Sequence, residues 1–217
     1  PSPVMCCSTR KEPVAMAESA DGGQIAPRGA LYGYAERLSS LGHGITVEVG
    51  APARTFDLRV DPTTSALLAV EDVLGLPLPA ASRFASGDGR TVVWLGPDEW
   101  LVIDPAMSPS LEQSLRDAVG SHGAVVEQSG QRLSLVVSGD AAGLLAKGTG
   151  LDLRGDGFGP GVALQGLLAQ AVVVFLARSE NARTVELLVR TSFARYVADW
   201  LRDAASDPLA YPAQAEG

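Results

Sequence analysis

The side chains of this sequence that could carry a reaction are few and far apart. The two histidines, His43 and His122, each stand beside a glycine. A general base needs a partner within hydrogen-bond reach, and no motif accompanies either one, so both read as solvated loop residues. Ser129 and Ser138 lack the G-x-S-x-G elbow that exposes a hydrolase nucleophile. Cys6 and Cys7 are adjacent and are the only cysteines, which excludes a disulfide framework and offers no zinc cage. Lys147-Gly148-Thr149-Gly150 holds the ingredients of a phosphate loop in the wrong order, since the lysine precedes the glycine. The glycine-dense stretch at 155–161 does not fit G-x-G-x-x-G and leads into a strand rather than a helix. Asp98-Glu99 and Asp152 are the carboxylates in suggestive turns. Asp98 is more simply a turn residue that satisfies nearby backbone N–H groups. Arg132 lies close enough in sequence to Glu127 for an ion pair. The expectation is that no residue is catalytic, cofactor-binding or metal-ligating.

The elements that would position these groups alternate between strand and helix periodicity. Residues 90–95 and 100–103 are apolar runs around Gly96-Pro97-Asp98-Glu99, which predicts a hairpin with a tryptophan on each arm, Trp94 and Trp100. Residues 55–60 alternate apolar and polar, as a strand with one buried face does. Asp61-Pro62 predicts the start of a helix that Gly75 ends. Residues 76–89, rich in Pro, Ser, Ala and Gly, predict a loop. Ser108-Pro109 opens a second helix to Val119, and 124–127 is a strand. With the strand at 45–49 ahead, the order is that of a split βαβ, or ferredoxin-like, unit. The second half follows a similar outline. A strand at 133–137 and a short helix opened by Gly139-Asp140 precede strands at 162–169, 171–177 and 185–190. The final helix, with Thr191-Ser192 as its cap, places Phe193, Tyr196, Val197, Trp200, Leu201 and Ala204 on one face. A short helix at 30–41 completes the body. The expected fold class is α+β, with two related ferredoxin-like lobes at about 45–128 and 131–205.

Composition sets outer bounds. The chain has 217 residues, 46 % hydrophobic and 19 % charged, enough for a real core. Its net charge of −8 and lack of a basic stripe argue against nucleic acid. No apolar run approaches a membrane span of about 18 residues, and no secretion signal is evident. A cytoplasmic, reducing setting is expected. Residues 1–28 and 206–217 are poor in large apolar side chains and are expected to be tails, the first ordering on a partner.

Several stretches resemble the γ subunit of heterotetrameric sarcosine oxidase. In order they are residues 57–62, the tryptophan turn at 94–101, Ser129-Gly130-Gln131-Arg132, and Leu144-Leu145-Ala146-Lys147-Gly148 with Leu151-Asp152-Leu153. Phe158-Gly159-Pro160-Gly161 follows, and 190–201, running Arg190-Thr191-Ser192-Phe193 to Asp199-Trp200-Leu201, closes the match. The chain departs from the family pattern at Glu127-Gln128 and at Gln165-Gly166. The resemblance implies a fold like the folate-binding domain of the glycine-cleavage aminomethyltransferase. It implies partners, the alpha, beta and delta subunits. It also implies a complex that demethylates sarcosine oxidatively to glycine and hydrogen peroxide, passing the carbon to tetrahydrofolate. FAD, FMN, NAD, zinc and tetrahydrofolate would then belong to the partner subunits, and this chain would be a non-catalytic assembly subunit. Two other readings stay open: an independent folate-binding, aminomethyltransferase-like protein that uses Asp98 or Asp152, or the same subunit in a complex acting on another N-methyl amine.

Overall fold

The computed structural model describes residues 29–155 and 157–207. Among these residues ten strands and five α-helices follow one another as α1 (Ala35–Leu38), β1 (Thr46–Val49), β2 (Arg54–Val60), α2 (Ala66–Leu74), β3 (Phe84–Gly87), β4 (Arg90–Gly96), β5 (Glu99–Asp104), α3 (Leu111–Val119), β6 (Gly123–Glu127), β7 (Arg132–Ser138), α4 (Ala141–Leu145), β8 (Ala163–Leu168), β9 (Ala171–Ala177), β10 (Thr184–Arg190) and α5 (Ala194–Ser206). The expected tail at 1–28, with Cys6 and Cys7, and residues 208–217 lie outside the described residues.

The strands form two five-stranded sheets whose hydrogen-bonded pairs are all antiparallel. The first has the order β3-β4-β5-β2-β6. β5 separates β2 from β4, and β2 separates β5 from β6, with α2 and α3 in the two connections. This is the split βαβ arrangement with β3 added at one edge. The second sheet has the order β1-β7-β10-β9-β8. It repeats the order of the first: β7, β8, β9 and β10 stand where β2, β3, β4 and β5 do, and β1 takes the place of β6. Only the short segment 178–183 joins β9 to β10, too little chain to cross over a strand, so the two become neighbours. β1 precedes the first lobe in sequence, yet it pairs with β7 in the second sheet.

Strand alternation builds four layers. In β5, Trp100 and Val102 point to the cluster under α2 and α3, while Leu101 points to the other sheet. In β9 and β10, Val173, Phe175, Val185, Leu187 and Val189 join the core beneath α4 and α5, and Val174, Leu176 and Leu188 face the first sheet. Both faces of these strands are covered, which is why they read as continuous apolar runs rather than alternating ones. Trp94 and Trp100 are directly opposite across the hairpin, with a bulge between Trp94 and Gly96. The Trp100 indole N–H donates to the Pro79 carbonyl at 3.0 Å, tying the connection after α2 to the sheet.

Several local expectations need correction. β3 lies inside the segment expected to be a loop. Its Phe-Ala-Ser-Gly composition is turn-like, but Asp88-Gly89 makes the two-residue turn to β4, with φ of 48° and 74°. Helix α2 starts at Ala66 because the Asp61 carboxylate instead holds the Thr63 N–H (2.9 Å) and hydroxyl (2.7 Å) in a turn ahead of it. Ser108 caps nothing through its side chain, since α3 opens at Ser110-Leu111; the Ser108 N–H donates to Asp104 at 2.7 Å. The Thr191 hydroxyl donates to the Gly130 carbonyl (2.6 Å) rather than capping α5. Of residues 30–41, only Ala35–Leu38 is α-helical.

Two charged groups near the ends of these strands generate testable consequences. Asp104 is fully buried, accepts from the Ser108 N–H, and lies 3.7 Å from the Arg90 guanidinium. Asp104→Ala strips a partly buried cation of its counter-charge and a backbone donor of its acceptor, and should cost about 2 kcal/mol in urea denaturation. Glu127 is held by Arg54 at 2.7 Å and by the Ser129 hydroxyl at 2.7 Å. The Arg54 hydrogen bond, then that of Ser129, lowers its pKa from 4.5 to about 2. A depressed folded-state pKa adds stability that is fully present above the unfolded value and is lost as pH falls from 4.5 to about 2. The urea midpoint of the wild-type chain should therefore fall across that window more steeply than that of Glu127→Gln.

Candidate functional site

The groups singled out from the sequence do not converge. Asp98 sits in the β4–β5 turn, where its carboxylate faces Arg59 at 3.4 Å. That is a side-chain partner rather than the backbone N–H groups expected. Asp152 lies in the second lobe and accepts from the backbone N–H groups of Arg154 and Gly155, each at 3.0 Å. His43 occupies a left-handed turn position with φ of 51°, and His122 is an exposed residue whose carbonyl accepts from the Asp61 N–H. Ser129 accepts from the Thr55 N–H at 3.1 Å while donating to Glu127, so its oxygen ties the chain after β6 back to β2 rather than facing a base. The ion pair expected between Arg132 and Glu127 is not formed, because Arg54 takes Glu127. Among the described residues no group of three or more His, Cys, Asp or Glu side chains could hold a metal ion. No helix among them is long and apolar enough to cross a membrane.

The sequence motifs instead have architectural explanations. Lys147 donates to the carbonyls of Ala204 (2.5 Å) and Asp207 (3.1 Å), placing its ammonium on the C-terminal end of α5. A cation there satisfies orphan carbonyls and complements the helix dipole. Gly148 lies against the Trp200 ring, where a Cβ would overlap the indole. Lys147-Gly148 thus packs against Trp200 and the end of α5. The Asp140 carboxylate accepts from the Gly143 N–H at 3.0 Å and caps α4, as its position predicted.

Charge gathers where the two sheets meet. On the face of the second sheet turned to the first, Glu186 binds Arg178 at 2.7 Å and accepts from the Ser134 hydroxyl at 2.6 Å. Arg178 also reaches Ser86 at 3.1 Å and stacks over the Phe84 ring at 4.5 Å, joining the lobes. Gln165 donates to the Leu95 carbonyl across the same seam at 2.9 Å. Further along, Asp57 accepts from Gln128 at 3.1 Å with one oxygen, and its other oxygen is buried without a hydrogen-bond partner. Arg132 and Arg190 are directly opposite on β7 and β10. Burial, and then the Arg190 charge, lower the Arg132 pKa, with Asp57 and Glu99 acting against both. Nothing in the sequence paired these arginines, although one begins a strand and the other ends one. A separate open cleft of about 680 Å³ lies between α1 and α5, lined by Arg37, Ser40, Leu41, Asp199, Arg202, Asp203 and Ser206. It mixes both signs of charge and holds no aromatic ring. The seam supplies structural ion pairs and exposed cations.

Comparison with known proteins agrees with this architecture. Residues 58–207 match the Sarcosine oxidase, gamma subunit family. The sarcosine oxidase subunit gamma of Corynebacterium sp. (strain U-96) is 34 % identical over 167 residues, covering 75 % of this chain and 80 % of that protein. The corresponding Arthrobacter sp. subunit is also 34 % identical, over 153 residues, covering 69 % and 74 %. In three dimensions the chain is similar to a chain of the heterotetrameric sarcosine oxidase of Corynebacterium sp. U-96, solved in complex with pyrrole 2-carboxylate, with a TM-score of 0.76 and 30 % identity over 86 % of this chain and 98 % of that one. It also shares the fold of glycine cleavage system aminomethyltransferase T from Bartonella henselae, at a TM-score of 0.53 and 18 % identity, over 82 % of this chain and 53 % of that one. With the family pattern spanning both sheets and a third of the aligned residues identical to those of known gamma subunits, this chain belongs to the sarcosine oxidase gamma subunit family.

Proposed function

We propose that the chain is a non-catalytic subunit that helps build a heterotetrameric sarcosine oxidase. In this reading the complex demethylates sarcosine to glycine, releases hydrogen peroxide and passes the one-carbon unit to tetrahydrofolate. The alpha, beta and delta subunits carry FAD, FMN, NAD and zinc, and the setting is cytoplasmic. One observation carries the assignment of a structural role: where the lobes meet, the space is filled by Val93, Leu101, Ala163, Val174, Leu176 and Leu188. Beside it, Arg178 and Glu186 are tied into an ion pair.

The chain's own residues do not fit a dinucleotide. The glycine stretch ending at Gly161 leads into β8, so no helix N-terminus stands behind it to meet a phosphate. In this reading no step of the reaction uses this chain's side chains. Its contribution is to hide surface against larger partners, as subunits of permanent complexes do over large, apolar interfaces.

A tag on this chain should bring down three other chain types, and the recovered assembly should release hydrogen peroxide only when sarcosine is added. A chain that is recovered alone, or a complex fully assembled and active without it, would overturn the assignment. Within the assembled complex, Asp98→Asn and Asp152→Asn should each leave kcat within about twofold of wild type, since neither carboxylate faces substrate in this reading. A hundredfold loss with assembly intact would make the chain catalytic.

A further inference from the structure

The first sheet does not cover the whole face that the second turns toward it. Strand register orders that face into transverse rows. Val174 and Leu188 are opposite each other in one row, buried against Val93 and Leu101. One row further out, Leu167 is opposite Val172, and Arg190 is opposite Arg132. The β9–β10 register, continued by one position, sets Val172 beside Arg190. This outer row lies open: Leu167 is 55 % and Val172 57 % exposed. Two aromatic residues extend it around the end of the sheet. The Gln170 N–H, in the turn between Leu167 and Val172, donates to the Tyr196 hydroxyl at 3.3 Å. Phe193 meets Tyr196 edge-on at 6.5 Å, and each ring is 40 % exposed.

Two further features set this surface apart from scattered exposed apolar residues. β8 is an edge strand of sequence Ala-Leu-Gln-Gly-Leu-Leu, without the charge or proline that normally guards a free edge. The row also ends in two adjacent cations on a chain of net charge −8. Arg132 donates to Gln131 at 2.7 Å and is opposed by Asp57 and Glu99, whereas Arg190 is paired with no carboxylate among the described residues. Like charges directly opposite across strands destabilise a sheet unless an anion joins them.

We infer that the row Leu167–Val172–Arg190–Arg132, with Tyr196 and Phe193 at its end, is the surface on which another subunit of the assembly docks, presenting an apolar segment that carries a carboxylate. The apolar half of the row takes the segment's side chains. The carboxylate lies between the two guanidinium groups, where charge-assisted hydrogen bonds are strongest. This inference rests on the proposed place of the chain in a heterotetramer.

The test compares association of the full chain with its partner subunits, by size-exclusion co-migration and titration. The variants are Arg190→Glu, Leu167→Asp, the milder Leu167→Ser, and the control Leu68→Asp, an exposed apolar position on the outer face of α2. Arg190→Glu and Leu167→Asp should weaken association at least about tenfold. Leu167→Ser should do so less, and Leu68→Asp not at all. Salt should weaken the wild-type complex more than the Arg190→Glu complex. Melting of each isolated variant at the wild-type temperature confirms that it folds, and Arg190→Glu and Leu167→Ser keep the test decisive should Leu167→Asp unfold. Variants that associate like wild type would overturn the docking surface while leaving the proposed function standing. An isolated chain that dimerises through this row would assign it to a second copy and overturn the inference. A wild-type chain that joins no complex would overturn both.

Discussion

A sheet with helices on one side still has a second face to bury, and the molecule is organised around how that face is hidden. The two five-stranded sheets turn their uncovered faces toward each other. Val93 and Leu101 of one meet Val174, Leu176 and Leu188 of the other. Burial of such side chains contributes about 25 cal/mol per Å² of apolar surface. Neither lobe would keep this benefit alone, because separation would expose the centres of β4, β5, β9 and β10. Around that apolar seam, Arg178, Glu186, Ser86 and Gln165 add directional contacts that fix how the sheets sit.

Much of this was legible from periodicity. The tryptophan hairpin, the alternating strand β2 and the amphipathic α5 lie where their side-chain spacing put them. What escaped depended on distant chain. β3 has weak strand character and exists because β4 offers it an edge; the local clue was Asp88-Gly89, whose left-handed angles match the twist of a hairpin. β1 reads as a strand from its own residues, but no local pattern says that it joins β7 across the whole first lobe. Apart from that borrowed strand, the second sheet repeats the order of the first, as the similar outline of the two halves of the sequence had it. Helix starts slipped because Asp61, Ser108 and Thr191 found closer partners than the orphan N–H groups of the helices.

The candidate chemistry was legible only residue by residue. Asp98 and Asp152 were rightly placed in turns, yet only the structure showed that Arg59 engages one and two backbone N–H groups the other. Lys147-Gly148 resembled a fragment of a phosphate loop, and proves to be half of a helix-packing contact with Trp200 and the end of α5. Arg132 went to the wrong partner in the sequence reading because nearness along the chain favoured Glu127. Pairing across the sheets decides otherwise: Arg54 captures Glu127 from β2, leaving Arg132 opposite Arg190.

The incompleteness of the seam follows from the same geometry that makes it. Twisted sheets stacked face to face separate toward their corners, so an outer row of one is left without a counterpart on the other. On most stacked sheets that row is polar. Here its two outer positions on β8 and β9 are leucine and valine, and its two inner ones on β10 and β7 are arginines. Water solvates Arg190 well, the partly buried Arg132 less, and the apolar pair poorly. A surface with both properties side by side is favourable in water only as a compromise, and it becomes favourable throughout when a neighbouring chain brings apolar side chains and negative charge in the same order.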